Sequence, residues 1–251
     1  RCYNTCFVLS SGEEYFLVDA GGGNGIFKQL EQAGVPFTGI REMFVTHAHT
    51  DHILGAIWVI RKIATLMSND KYRGNFIVYG HNEVIDALRT FCRLTLPGKI
   101  LKYIDERIFW GEVKDGTRKE ILPICFFDIL STKMKQFGFR VLLPDGQVLV
   151  CLGDEPYNEA CKKYVEQADW LLAEAFCLYR DREIFSPYEK HHSTALDAGR
   201  LAEALGVKHL VLYHTEDKTL AERKEAYTRE ASSVFTGRVY VPDDLERISL
   251  E

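Results

Sequence analysis

The hydrophobic pattern switches between strand-like and helix-like spacing along the chain. Residues 1–9 (RCYNTCFVL) and 15–18 (YFLV) read as two strands, with a glycine-bearing hairpin turn at 10–14. The run Asp19-Ala20-Gly21-Gly22-Gly23-Asn24-Gly25 follows, then a short helix over 26–33 closed by Gly34. Residues 44–46 form a strand that runs into a cluster of histidines. Residues 54–67 are apolar at helical spacing, and 76–79 (FIVY) are a strand feeding a helix over 82–94. From Ile108 the texture changes to short strands, and 139–143 and 148–152 flank Pro-Asp-Gly-Gln, a hairpin turn. A helix over 157–167, a strand over 170–176, a helix over 194–205 capped by Ser193 and a strand over 210–213 complete the pattern. Strands followed by helices thus occur twice, with no linker or composition shift between the halves. The expectation is one α+β domain spanning 1–251, with two mixed sheets packed face to face and helices outside.

Composition narrows the class without naming a reaction. The 251 residues carry 31 Lys+Arg against 36 Asp+Glu, a formal charge of −5, and 46% are hydrophobic. That is the profile of a soluble globular enzyme, and it excludes disordered or collagen-like chains. No stretch reaches the ~18 uninterrupted apolar residues of a membrane span. The acidic balance argues against a general nucleic-acid coat protein. Seven cysteines (Cys2, Cys6, Cys92, Cys125, Cys151, Cys161, Cys177) are odd in number and contain no CxxC pair, as expected of reduced, mostly buried thiols. No signal peptide is visible in a chain that begins at Arg1, as if a few native residues preceded it. A cytoplasmic location is the expectation.

Chemistry enters with Thr46-His47-Ala48-His49-Thr50-Asp51-His52. Three of the chain's eight histidines fall within six positions, a concentration that composition alone does not explain. Imidazole is the commonest protein ligand for zinc, and carboxylate binds at a similar distance. On an extended strand end His47 and His49 point the same way, and Asp51 and His52 lie in the following turn, able to face a second ion. The glycines at 21–25 lack the following Gly-Lys-Ser/Thr of a phosphate loop.

His-x-His-x-Asp-His after a strand resembles the metallo-β-lactamase superfamily, which implies a four-layer αββα sandwich with a one- or two-metal hydrolytic site. The resemblance covers nearly the whole chain. It makes Asp19, in Asp19-Ala20-Gly21, a support for the ligands, Asp154 the metal-bridging aspartate ending a strand, and His214 the last histidine ligand. Leu172-Ala173-Glu174-Ala175-Phe176, His192-Ser193-Thr194 and Phe137-Gly138-Phe139-Arg140 further resemble the H-E-A-T, H-S-T and F-G-Y-R segments of the transfer-RNA 3′-processing endonucleases (tRNase Z). By that resemblance His192 assists proton transfer and Glu174 orients it. Helix capping beside Ser193 is the competing role for His192. His191, His81 and His209 fall outside the matched roles and read as surface or satisfied core residues.

Two departures qualify the resemblance. The family's third metal histidine lies just before the F-G-Y-R-like strand, where this chain reads Phe127-Asp128-Ile129-Leu130-Ser131-Thr132. Leu130 is the expected occupant of that position, with an offset to Thr132 as the alternative, and leucine cannot bind a metal. One ion could still be held by His47, His49 and Asp154, and a second by Asp51, His52, Asp154 and His214, with the first position weaker. The tRNase Z arm that grips transfer RNA is replaced by a plain hairpin turn at 144–147, which makes folded tRNA a doubtful partner.

Three readings remain. The first is a metal-dependent phosphodiesterase of the tRNase Z-like branch, with Asp51, His192 and Glu174 as catalytic groups and one or two divalent ions, Zn²⁺ before Mn²⁺ or Fe. Its substrate would be a small-molecule or nucleotide ester. The second is a carboxylic ester, lactone, thioester or β-lactam hydrolase on the same scaffold. The third is a poorly active binding or regulatory relative, supported by Leu130 alone. A homodimer is expected only by analogy.

Overall fold

The computed structural model describes residues 6–119 and 123–250. Cys2 and the first five residues of the expected strand 1–9 lie outside the described residues. The chain divides into two compact units, residues 4–113 and residues 114–251.

The first unit contains β1 (Phe7–Ser11), β2 (Glu14–Val18), α1 (Ile26–Gln32), β3 (Ile40–Phe44), α2 (Thr50–Ser68), β4 (Phe76–Gly80), α3 (Asn82–Thr95), α4 (Gly98–Leu101) and β5 (Ile108–Glu112). Its sheet has the order β1-β2-β3-β4-β5. β1 and β2 form the antiparallel hairpin, and β2 to β5 run parallel. The core is built from alternate strand residues such as Leu17, Met43 and Val78 and from one stripe of α2. In that helix Ile53, Ala56, Ile60, Ile63 and Met67 recur at the spacing that buries a single face.

The second unit contains β6 (Arg118–Lys119), β7 (Ile124–Asp128), β8 (Phe137–Leu142), β9 (Val148–Cys151), α5 (Lys162–Val165), β10 (Trp170–Glu174), α6 (Arg182–Phe185), α7 (Ala195–Ala204), β11 (His209–Tyr213), α8 (Arg223–Ser232) and β12 (Arg238–Tyr240). Its sheet has the order β12-β11-β10-β9-β8-β7-β6. β6 to β9 are antiparallel meanders, and β9 to β12 are parallel. Leu171, Val150, Leu210 and Leu212 from the parallel strands meet Ala198, Ala202 and Tyr227 from α7 and α8 in its core. Both sheets are mixed, as expected, and no helix is long and apolar enough to cross a membrane among the described residues.

Several local expectations are corrected. The strand expected at 44–46 ends at Phe44, because the Thr46 amide is taken by the Asp19 carboxylate at 2.8 Å and leaves the ladder. Asp51 and His52 sit in the first turn of α2 rather than in a turn before it. The helix expected over 157–167 is reduced to a 3₁₀ turn at Glu159–Cys161 and the single turn of α5. Gln167 adopts φ +57° and donates its amide to Leu205, which ends that helix early. The α7 cap is Thr194, not Ser193. Thr194 accepts from the Asp197 amide, and Asp197 answers to the Thr194 amide in a capping box. β9 ends at Cys151, so Asp154 lies in the loop beyond the strand, after Gly153 turns the chain at φ +83°.

Candidate metal centre

In the first unit the donors follow the C-terminal ends of two neighbouring parallel strands. Asp19 leaves β2 and Thr46-His47 leaves β3, the end at which open α/β sheets place their ligands. Asp19 is buried and receives three contacts. The Thr46 amide donates to Oδ1 at 2.8 Å, and the Thr46 hydroxyl donates to Oδ2 at 2.8 Å. Nδ1 of His52 lies 2.8 Å from the same Oδ2. A carboxylate accepts only, so Nδ1 of His52 carries the proton and Nε2 is the atom suited to a cation. The same logic runs through Thr46. Its hydroxyl proton goes to Asp19, so its oxygen accepts from His47 Nδ1 at 2.9 Å, and His47 too presents Nε2.

Packing keeps this arrangement in place. Gly55 in α2 touches the Asp19–Gly21 turn so closely that a Cβ there would strike the Ala20 carbonyl. The turn is also tied to the helix by Gly55 N to Gly21 O at 2.8 Å and Ala20 N to His52 O at 3.1 Å. His49 is the N-cap residue of α2, and its Nδ1 lies 2.8 Å from His47 Nε2. With His47 presenting a lone pair, His49 holds the proton in that contact, and a bound cation would release it. Asp51 Oδ2 is 3.5 Å from His52 Nε2. Burial pushes the Asp19 carboxyl above the ordinary carboxylate range, opposed by the His52 ring and the Thr46 hydrogen bonds.

In the second unit the parallel run β9-β10-β11 brings another set of donors to one edge. Glu174 is the last residue of β10 and pairs with Tyr213, the last of β11, so His214 follows directly beside it. Asp154 arrives from the loop after β9, and His214 Nε2 lies 3.6 Å from Asp154 Oδ2. The Ser193 amide donates to Glu174 Oε1, and Glu174 Oε2 faces His192 Nδ1 at 3.5 Å. His192 is also stacked on Phe176 at 4.9 Å, with its ring 5.2 Å from that of His214. One ligand atom each of Glu174, His192 and His214 lies within 4.8 Å of the others, a group able to hold a metal ion. The clustering of buried imidazole and carboxylate in both units fits a divalent cation in its donor chemistry.

The comparisons with known proteins agree in kind. Residues 1–90 match the family described as Anti-Pycsar protein Apyc1. The chain is 23% identical to ribonuclease Z of Thermobifida fusca (strain YX) over 291 aligned positions, covering 100% of this chain and 90% of that protein. It is 26% identical to ribonuclease Z of Bradyrhizobium sp. (strain ORS 278), covering 97% and 92%. Among solved structures, the metallo-β-lactamase fold protein YhfI from Bacillus subtilis superposes with a TM-score of 0.75 at 21% identity, covering 96% of this chain and 89% of that one. The short form of human tRNase Z gives 0.75 at 20% identity, covering 99% and 93%. The chain has the metallo-β-lactamase fold and is similar over nearly its whole length to ribonuclease Z.

In this chain, His47, His49, Asp51 and His52 fall together in the first unit, where Asp19 contacts His52 directly and His47 through Thr46. Asp154, Glu174, His192 and His214 fall together in the second. Leu130 is half-exposed at φ +58°, with its amide on the Asp128 carboxylate. Thr132, the alternative position, is 3.0 Å from His191 Nδ1. With Leu130, Tyr157, Asn158, Tyr188 and His192, these two residues line a cavity of about 260 Å³. His209 stacks on Trp170 at 4.1 Å, and His81 is a buried N-cap residue of α3. The six described cysteines are free thiols.

Sequence reasoning missed two residues that orient the candidate ligands. Thr46 links Asp19 to His47, and its only signal was adjacency to the histidine run. Gln136 is buried and donates to Asp154 Oδ1, and nothing in its sequence context marked it.

Proposed function

We propose that the chain is a metal-dependent phosphodiesterase acting on small nucleotide esters or RNA ends. The observation that carries this reading is the Glu174–His192–His214 cluster with Asp154 beside His214, which joins a proton-handling pair to metal-type donors in one unit. His47, His49, Asp51, His52, Asp154 and His214 are assigned as the ligands by the metallo-β-lactamase resemblance. Their imidazole and carboxylate chemistry favours Zn²⁺, with Mn²⁺ or Fe as alternatives. When bound, such an ion supplies an activated water near neutral pH and offsets the charge that develops at phosphorus.

The remaining steps belong to side chains. Asp51 accepts a hydrogen bond from the attacking water and aims it. Glu174 faces Nδ1 of His192, which leaves Nε2 as the proton-delivering atom. Protonated His192 then gives its proton to the leaving oxygen, a contribution of about 10²–10⁴ in rate. The cavity beside His192 offers the tyrosine faces of Tyr157 and Tyr188 with the polar groups of Asn158 and His191, a mixture suited to a small ring-bearing ester. The turn between β8 and β9 is closed by Leu143 N donating to the Gln147 carbonyl and Gly146 N donating to the Leu143 carbonyl and carries no arm, which supports a small substrate over folded tRNA. Leu130 supplies no ligand, so the position served by His47 and His49 is the weaker of two. By analogy with the family, the protein is a homodimer.

A substrate panel with added Zn²⁺ or Mn²⁺ tests the reading. It predicts turnover of bis(p-nitrophenyl) phosphate and dinucleotides, with at most weak cleavage of p-nitrophenyl acetate, lactones and a chromogenic β-lactam. Cleavage of the carboxylic substrates alone would replace phosphodiester chemistry with the second hydrolase class. Metal analysis of purified protein adds a check, since two equally tight ions per chain would contradict the weaker first position.

A further inference from the structure

The segment between β7 and β8 is where the family's third histidine is missing, yet it still reaches Asp154. Gln136, the residue before β8, is 1% exposed, and its side-chain amide donates to Asp154 Oδ1. Its position is fixed from two sides. The Gln136 carbonyl accepts from the Ile129 amide at 3.1 Å, which anchors it at the mouth of the β7–β8 hairpin. Its side chain also lies against Gly153, so closely that a Cβ at that glycine would strike the amide. Gly153 at φ +83° therefore both turns the chain and makes room for Gln136.

The two oxygens of Asp154 are divided by this contact. Oδ1 faces Gln136, and Oδ2 faces His214 Nε2 at 3.6 Å. Two ligand atoms on one tetrahedral ion with bonds of ~2.0–2.2 Å stand about 3.4 Å apart. The Asp154–His214 separation is therefore close to what a shared cation requires. A lysine or arginine at position 136 could also donate to Asp154, but its charge would repel a cation. The glutamine amide is neutral, so it orients the carboxylate without cancelling its charge.

Resting on the metal-dependent reading above, we propose that Gln136 is a positioning residue for the metal centre: it holds Asp154 in the rotamer that turns Oδ2 towards His214. Partners of this kind usually tune metal affinity by about 10–100-fold.

The test is a Zn²⁺ titration of metal-stripped full-length protein against a competing chelator, using wild type, Gln136→Met, Asp154→Ala and the double variant. Methionine keeps the length and apolar packing of the side chain but has no donor. The expected result is a roughly tenfold loss of Zn²⁺ affinity in Gln136→Met, with less than a twofold change when Asp154→Ala is already present. An unchanged affinity in Gln136→Met, or an equal loss in both backgrounds, overturns the positioning role. If Asp154→Ala binds Zn²⁺ as wild type does, the underlying reading fails instead. The wild-type protein gives an independent readout should Gln136→Met not fold. The Gln136 side-chain ¹H–¹⁵N signals, assigned by triple-resonance spectra, must shift on Zn²⁺ addition, and unmoved signals contradict the proposal.

Discussion

The two units solve the same problem in different ways. In residues 4–113 the candidate donors are packed into the run 46–52, and the buried Asp19 orders them through Thr46 and His52. In residues 114–251 the donors come from separate positions, Glu174 at the end of β10 and Asp154, His192 and His214 in loops, and the parallel register of β9, β10 and β11 brings them together. The first unit depends on local hydrogen bonding, whereas the second depends on sheet topology. A single side-chain change should therefore disorder several donors in the first unit but remove one role at a time in the second.

The largest effect is expected from removing a donor outright. His214→Ala should lower kcat/KM on bis(p-nitrophenyl) phosphate by more than about a hundredfold and should release metal, since even outer partners of metal ligands are worth roughly 10–100-fold. Metal analysis beside the kinetics checks this, and full metal retention would remove His214 from the ligand set. His192→Ala should be selective. Turnover should fall by about 10²–10⁴ for diesters with poor leaving groups and far less for bis(p-nitrophenyl) phosphate. Equal losses on both substrates would end its role as an acid.

Asp19→Asn probes the local device of the first unit. The amide keeps the shape but cannot accept from both Thr46 and His52 as the carboxylate does, so Zn²⁺ affinity should drop by roughly 10–100-fold. An affinity equal to that of wild type would mean that Asp19 serves only the fold. Thr194→Ala separates stability from chemistry in the second unit. Loss of the α7 cap should cost about 1 kcal/mol in denaturant unfolding while leaving metal binding intact.

The smallest effect concerns His209, which stacks on Trp170 far along β11 from His214. Burial, with Arg238 and Lys208 nearby, holds its imidazole below the ordinary histidine range. A depressed histidine contributes stability in full above its unfolded value near 6.5 and loses it as pH falls towards the folded value. His209→Phe should therefore flatten the drop in thermal midpoint between pH 7.5 and 5.5. An unchanged slope would assign that drop to other groups.

Much of the fold was legible because its elements are strongly patterned. The α2 stripe and the parallel strands 76–80 and 209–213 carry continuous apolar signals. The short α5 was not legible, because Gln167 at positive φ and its bond to Leu205 are tertiary effects. The 46–52 donors announced themselves by crowding. Asp154, Glu174, His192 and His214 are spaced too widely for that and were reached through resemblance. Thr46 and Gln136 remained hidden because a single polar residue at an element's edge looks like any other until its partner is in place.

The central claim is that Asp154 and His214 hold a common cation. An anomalous-scattering map from crystals grown with Zn²⁺ tests it most directly. The account predicts a peak at bonding distance from Asp154 Oδ2 and His214 Nε2. Zinc bound only at His47 and His49, or only at surface residues, would contradict it.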